Sequence, residues 1–147
     1  MATSLDVAEY ILQQKGPITA MKLQKLVYYA QAWSLALEQE PLFEEPIEAW
    51  ANGPVVRELF ETHKGQYHVT TIPQGNPDEL TEEQKITVDA VVIYYGQKSA
   101  DWLRTRTHSE DPWRMARGSC LDGEWSNNRI SFQSMEDFYS ELEEEDV

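Results

Sequence analysis

The chain has a single cysteine, few basic residues and no long apolar run. Because Cys120 has no second cysteine to pair with, an internal disulfide is excluded, and a reducing cytoplasm is the expected compartment. No apolar run approaches the roughly 20 residues of a membrane-spanning helix, and the first residues lack the pattern of a signal peptide. We therefore expect a cytoplasmic protein with no membrane partner.

The scarcity of lysine and arginine narrows the range of partners. Twelve basic residues stand against 26 acidic ones, which gives a formal net charge of −14. Residues 136–147 contain seven of these acids and no base. Since nucleic-acid binding depends on clustered cations, this balance argues against direct binding to DNA or RNA. The acidic surface either keeps the chain soluble or speeds its encounter with a basic protein partner.

Length and composition predict one domain with a substantial core. The 147 residues are 41% hydrophobic and include five Trp, seven Tyr and four Phe, enough to bury a core in a chain of this length. Most apolar residues recur at spacings of three and four. We predict a mainly α, compact single-domain bundle over residues 1–140, with six or seven helices and at most one small β-hairpin. An acidic tail is predicted over residues 141–147.

Residues 20–38 predict the central helix, with Thr19 as its N-cap. Apolar side chains occupy two nearly opposite faces, so burial is expected on both. The first face carries Leu23, Leu26, Val27, Ala30, Trp33 and Leu37, and the second carries Met21, Tyr28, Ala32 and Leu35. Lys22, Lys25 and Gln31 fill the gaps between these faces. The helix predicted over residues 82–95 is apolar nearly all round, so it too is expected to be central.

Shorter signals predict the remaining elements. Ser4, Thr81, Ser99 and Ser134 are the expected caps of further helices. Residues 47–50 predict a short strand, and residues 67–72 predict a second, for which 47–50 is the candidate partner. Asn52-Gly53-Pro54 predicts a turn, with Pro54 as the first residue of the next helix. Residues 118–129 predict a polar loop.

No catalytic or metal-binding pattern accompanies these elements. His63, His68 and His108 have no companions at metal-ligand spacing, and Gly-rich phosphate loops and Gly-x-Ser-x-Gly are absent. We therefore predict no catalytic residue, no metal and no cofactor. An enzyme built around His108 and Cys120 remains an alternative. A cysteine nucleophile needs a neighbour that lowers the pKa of its thiol, and His108 would be that neighbour.

Residues 107–113 and the arginines around them form a more specific segment. His108 lies between two predicted helices and Trp113 anchors the turn that follows, as either a structural corner or part of a partner-binding surface. The only concentration of basic residues is here, and it consists of Arg104, Arg106, Arg114 and Arg117. Ion pairing with acids of the same chain is their expected role.

Several blocks of the sequence resemble a known family. The blocks are MKLQKLVYYAQAW at 21–33, PLF at 41–43, PIEAW at 46–50, GPVV at 53–56, and a later group with Thr107-His108, Pro112-Trp113 and Ala116-Arg117. In this order, over residues 4–140, the chain resembles the Panacea domain of SocA-like and phage-associated GepA-like antitoxins. It departs from the pattern at Arg57, where the family has Pro.

The resemblance implies a bacterial or prophage antitoxin that neutralises a cognate toxin by direct protein–protein binding. It implies no catalytic residues. A basic toxin and a hetero-oligomer with it are expected. Two other roles stay open, an adaptor that delivers the toxin to an ATP-dependent protease and a regulator of its own operon. The predicted contact residues, chosen for rigid apolar and aromatic surface, are Trp50, Asn52, Gly53, Pro54, Val55, Arg57, His108 and Trp113.

Overall fold

The computed structural model describes residues 1–142. Residues 143–147, which hold most of the predicted acidic tail, lie outside the described residues. Within 1–142 the helices are α1 (Ser4–Lys15), α2 (Ala20–Glu38), α3 (Arg57–His63), α4 (Glu82–Tyr95), α5 (Ala100–Ser109), α6 (Asp111–Arg117) and α7 (Phe132–Ser140), with a 3-10 helix at Pro77–Glu79. The strands are β1 (Ile18–Thr19), β2 (Ile47–Trp50), β3 (Gly53–Val56), β4 (His68–Val69) and β5 (Arg129–Ile130). No helix in this part of the chain is long and apolar enough to cross a bilayer.

Helix α2 is the axis of the domain, as predicted. It begins after Thr19, whose hydroxyl accepts a hydrogen bond from the Lys22 amide at 3.2 Å. It contacts α1, α4, α5, α7 and β3, so side chains are buried all around its middle turns. Leu37, which was predicted to lie on a buried face, is instead 58% exposed at the last turn of the helix.

Helix α4 differs from the prediction. Its capping box at Thr81 is confirmed, but only one face is buried, and that face contacts α1 and α2. Ile86 and Ile93 are 68% and 69% exposed. The prediction that α4 is central is therefore wrong. Apolar residues surround the helix, but no other element within residues 1–142 covers the side that carries these two isoleucines.

The prediction of at most one hairpin is also wrong. Two antiparallel sheets are present within the described residues, one with the order β3-β2-β5 and one that pairs β1 with β4. Residues 47–50 pair with 53–56, so the strand near 68 finds its partner at Ile18 instead. Strand β5 was not predicted, because two residues are too few to show the alternation of a strand.

Three local predictions place an element start incorrectly. Pro54 lies in β3 opposite Ala49, and α3 begins at Arg57 instead. Thr3 caps α1 rather than Ser4, since the Thr3 hydroxyl and the Asp6 carboxylate form a reciprocal capping box. Ser131 caps α7 rather than Ser134. In both misread helices a suitable hydroxyl residue one to three positions upstream was available.

Buried glutamines on α2 hold the irregular segments around it. Gln31 accepts a hydrogen bond from the Leu42 amide at 2.7 Å and donates one to the Phe43 carbonyl at 2.7 Å. Gln24 accepts from the Val56 amide at 2.9 Å and donates to the Val56 carbonyl at 3.3 Å. Each amide side chain therefore does what a neighbouring strand would do. This explains why a doubly buried helix carries glutamine at two core positions.

Candidate functional site

The β2–β3 hairpin carries most of the predicted contact residues. Its two-residue turn, Ala51-Asn52, joins Trp50 to the paired Gly53. Gly53 has a φ of +121°, a region in which side chains are rarely found, and a Cβ at this position would collide with the Lys25 side chain. The backbone conformation of the turn therefore favours glycine here, and any side chain would also have to displace the end of the Lys25 side chain.

A polar and aromatic cluster occupies one side of the hairpin. Arg57 makes two hydrogen bonds to the Glu48 carboxylate, at 2.9 and 3.1 Å, and Trp50 Nε1 donates a third at 2.8 Å. The Arg57 guanidinium lies 5.3 Å from the Trp50 ring centroid, and Phe60 meets the same ring edge-on at 5.0 Å. Burial raises the pKa of Glu48, but the bonds from Arg57 and Trp50 outweigh it and lower the pKa overall.

The corner between α5 and α6 clamps the hairpin from behind. Trp113 Nε1 donates to the Trp50 carbonyl at 2.9 Å, and Arg117 donates to the Ala49 carbonyl at 3.0 Å. His108 stacks on the Trp113 ring at 3.9 Å with an interplanar angle of 8°, and the Arg117 guanidinium lies 4.8 Å from the same ring. The corner thus fixes the main chain of β2 at its end.

The structure brings all eight predicted contact residues into one continuous region. Asn52 is exposed, Trp50, Arg57 and His108 are half-buried, and Gly53, Pro54, Val55 and Trp113 are buried. Trp113 is only 3% exposed, so its ring supports the hairpin from inside. The part of this region open to a partner consists of Asn52, Trp50, Arg57 and His108, with exposed Arg104 bonded to Asn52 at 3.3 Å.

Lys25 lies directly beneath the hairpin. Its side chain is 1% exposed and passes under Gly53, near the Thr107 hydroxyl. Burial, with a smaller contribution from Arg104, lowers the pKa of Lys25 to about 7. No carboxylate among residues 1–142 forms an ion pair with it. The sequence does contain a signal for Lys25, because this lysine lies between the two apolar faces of a helix predicted to be buried on both.

The arginines of the corner are mostly not paired with acids of the chain. Arg106 forms an ion pair with Glu110 at 3.5 Å, but Arg104, Arg114 and Arg117 form none within the described residues. The expectation of internal ion pairing therefore holds for Arg106 alone. Instead, Arg117 is buried and its guanidinium donates to main-chain carbonyls. Arg104, exposed beside the hairpin turn, is thus a cation without an ion-pair partner among residues 1–142, in a chain of net charge −14.

Within the described residues, no hydrogen bond connects His108 with Cys120. Nε2 of His108 is buried without a hydrogen-bond partner, and burial and then Arg104 lower the pKa of this histidine. Cys120 instead accepts a hydrogen bond from Arg117 at 3.3 Å. Among residues 1–142, no three His, Cys, Asp or Glu side chains are grouped so that they could hold a metal ion.

Comparison with known proteins supports the family resemblance that the sequence blocks indicate. A family model described as "Antitoxin SocA-like, Panacea domain" matches residues 23–114, more than half of the chain. The matched part runs from α2 into α6 and contains Lys25, the whole hairpin and the corner at His108 and Trp113. The predicted resemblance is confirmed over residues 23–114, a shorter span than the predicted 4–140. Neither a curated protein nor a solved structure matches this chain.

Proposed function

We propose, since the chain belongs to the family of SocA-like antitoxins with a Panacea domain, that it is the antitoxin of a toxin–antitoxin pair. In this proposal it acts in the cytoplasm, neutralises a toxin by direct protein–protein binding and performs no chemistry of its own. The observation that carries the proposal is the family match over residues 23–114, which contains the entire hairpin and, of the side chains that support it, Gln24, Lys25 and Trp113.

The build of the hairpin supports a binding role. Its main chain is fixed by Trp113, Arg117 and Gln24, so little conformational entropy would be lost when a partner binds. Its open part carries a tryptophan and arginines, the residue types that most often dominate binding energy. A rigid, aromatic and cationic projection of this kind is typical of a contact surface.

Charge indicates what the toxin would present. The net charge of −14 favours encounter with a basic protein. Beside the hairpin turn the local charge is reversed, because the exposed Arg104 is bonded to Asn52 and has no carboxylate partner within residues 1–142. The complementary toxin surface would therefore be basic overall, with an acidic residue placed against the hairpin turn.

The decisive experiment starts from the genes adjacent to this one. One of their products, expressed alone, should arrest growth, and co-expression of the present chain should relieve the arrest. The two purified proteins should elute together in size-exclusion chromatography. If the chain relieves the arrest caused by none of the adjacent gene products, the proposed function is overturned.

A pair of arginine variants tests the contact surface. Arg104→Glu should raise the dissociation constant of the complex at least ~10-fold, because it reverses the charge beside the turn. Arg114→Glu changes the same charge at an exposed arginine of α6 and should have little effect. Equal effects of the two variants would exclude the hairpin as the contact while leaving the antitoxin function intact.

A further inference from the structure

Apolar side chains remain exposed along α4 and at the end of α2. Ile86, Ala90 and Ile93 are exposed on α4, and their spacing of four and three places them in one row along the helix. Leu37 is exposed on the last turn of α2. Rows of this kind are normally buried against another element. Within residues 1–142 no element covers them.

A groove of about 400 Å³ lies between the two helices beside this row. It is lined by Trp33 and Leu37 from α2 and by Thr87, Ala90, Val91, Tyr94 and Tyr95 from α4. Apart from the Thr87 hydroxyl, the tyrosine hydroxyls and one indole nitrogen, these side chains are apolar. A groove between two helices with apolar walls is the shape that a third helix fills with side chains spaced three and four residues apart.

The floor of the groove is fixed. Trp33 Nε1 donates to the Tyr95 hydroxyl at 3.0 Å, and the Tyr95 ring stacks on Tyr29 at 3.9 Å with an interplanar angle of 7°. The Trp33 N–H therefore has its acceptor within the protein and does not require water in the groove. A partner would meet a preformed surface.

Acidic side chains border one end of the groove. Glu38, Glu40 and Glu83 line an adjoining hollow that shares Thr87 with the groove. None of the three forms an ion pair within the described residues. An apolar groove with unpaired carboxylates at its edge is complementary to a segment that is apolar on one face and basic beside it.

We propose that the α2–α4 groove binds an amphipathic helix of the toxin. Apolar residues of that helix enter the groove, and its lysines or arginines face Glu38, Glu40 and Glu83. This inference rests on the proposed antitoxin function. A second copy of the chain is a poor occupant, because each copy carries a net charge of −14 and would bring the same carboxylates to the interface.

The groove and the hairpin would then engage one partner at two places. Lys25 underlies the hairpin and Leu37 borders the groove, and the twelve-residue separation on α2 corresponds to about 18 Å along the helix axis. A toxin that contacts both surfaces would lie along α2. Its binding would be weakened by a change at either end.

The test uses exposed groove residues, so that the fold is preserved. The double variant Leu37→Lys, Ala90→Lys places two charges in the groove, and Leu121→Lys places one at a comparably exposed apolar residue elsewhere. Binding is measured by interferometry with the adjacent gene product that arrests growth, and circular dichroism checks the fold. The double variant should raise the dissociation constant at least ~10-fold, and Leu121→Lys should leave it within twofold.

The charge at the edge of the groove is tested separately. Glu83→Lys should slow association at low salt, and the effect should shrink at high salt. Glu44→Lys changes the net charge equally at another exposed glutamate and should matter less. Hydrogen exchange on the complex should show a protected amphipathic helix of the toxin, with basic residues, that loses its protection in the double variant.

Each result bears on the inference. An unchanged dissociation constant in the double variant overturns the groove as a docking site, even when the wild type still relieves growth arrest. A wild-type dimer that the double variant dissolves, with toxin binding intact, assigns the groove to a second copy and also overturns it. Failure of the wild type to bind or rescue overturns the antitoxin function itself, which separates the two failures.

Discussion

Nε1 of Trp113 donates a hydrogen bond to the main-chain carbonyl of Trp50, 2.9 Å away. The bond joins α6 to the last residue of β2, and the two residues are 63 positions apart in the chain. It holds the hairpin turn against the α5–α6 corner from the inside. The orientation of the exposed hairpin side chains therefore depends on a residue that a partner would not touch.

We expect Trp113→Phe to loosen the hairpin. The variant keeps most of the apolar contact but leaves the Trp50 carbonyl without its donor, at a cost of about 1–3 kcal/mol. Chemical denaturation should show this loss, and hydrogen exchange should become faster around the turn. Trp125→Phe, at an exposed tryptophan, is the control and should change little. Equal stability of the two variants would contradict the structural role of the bond.

Lys25 should make stability depend on pH in the neutral to alkaline range. Its pKa is lowered to about 7 in the folded chain, against about 10.4 when unfolded. Between these values the unfolded state binds one more proton, so the free energy of unfolding should rise with pH, by about 1.4 kcal/mol per pH unit. Below pH 7 both states are protonated, so the slope disappears and the full cost of burying the charge remains.

Lys25→Met should remove this pH dependence. The variant keeps a long side chain under Gly53 without an ionisable group, so it should be more stable than the wild type at pH 6–7. The difference should shrink as the pH approaches 10. Urea denaturation of both proteins across this range measures it. Parallel pH profiles for the two proteins would mean that Lys25 does not titrate near neutrality.

Gly53→Ala should destabilise the chain more than an alanine at another glycine of positive φ. Gly53 combines a φ of +121° with a collision against Lys25, whereas Gly123 has a φ of +87° and no neighbouring atom within 4 Å of a built Cβ. Backbone strain alone costs about 1–3 kcal/mol. Thermal denaturation of Gly53→Ala and Gly123→Ala should show a clearly larger loss at Gly53, because only that variant must also displace the lysine.

Gln31→Leu should be strongly destabilising despite its conservative volume. The Leu42 amide and the Phe43 carbonyl would both lose their partner in a buried setting, at about 1–3 kcal/mol for each group. Gln14→Leu, at an exposed position of α1, serves as the control. A Gln31→Leu variant as stable as this control would show that water or a main-chain shift replaces the glutamine.

The parts of the fold that depend on local patterns were predictable. The start of α2 follows from Thr19, and its burial on two faces follows from its apolar spacing. The start of α3 was misread because Asn52-Gly53-Pro54 resembles a helix entrance. Strand β3 is instead held by its pairing with β2 and by Gln24, 32 residues before Val56. No local pattern carries that information.

The residue types of the candidate site were predictable from the sequence, but the burial of each residue was not. The predicted contacts combine hairpin residues with His108 and Trp113, because the family's blocks include both. These residues lie together in the structure, and their role as contacts stays a prediction. The sequence could not indicate that Trp113 is buried while Trp50 is half-buried, since both are tryptophans beside turns. The α2–α4 groove was not predictable, because the sequence of α4 indicates more burial than the structure shows. An all-round apolar helix predicts full burial, although Ile86 and Ile93 remain exposed.

Helix α2 also determines how far the hairpin can be moved to another context. The Val56 end of β3 depends on Gln24, and the turn packs on Lys25. A peptide of residues 46–57 would lack both of these contacts. Grafting the loop onto a foreign scaffold would fail for the same reason. A minimal transplant must carry α2 and the Trp113 and Arg117 side chains of α6 together with the hairpin.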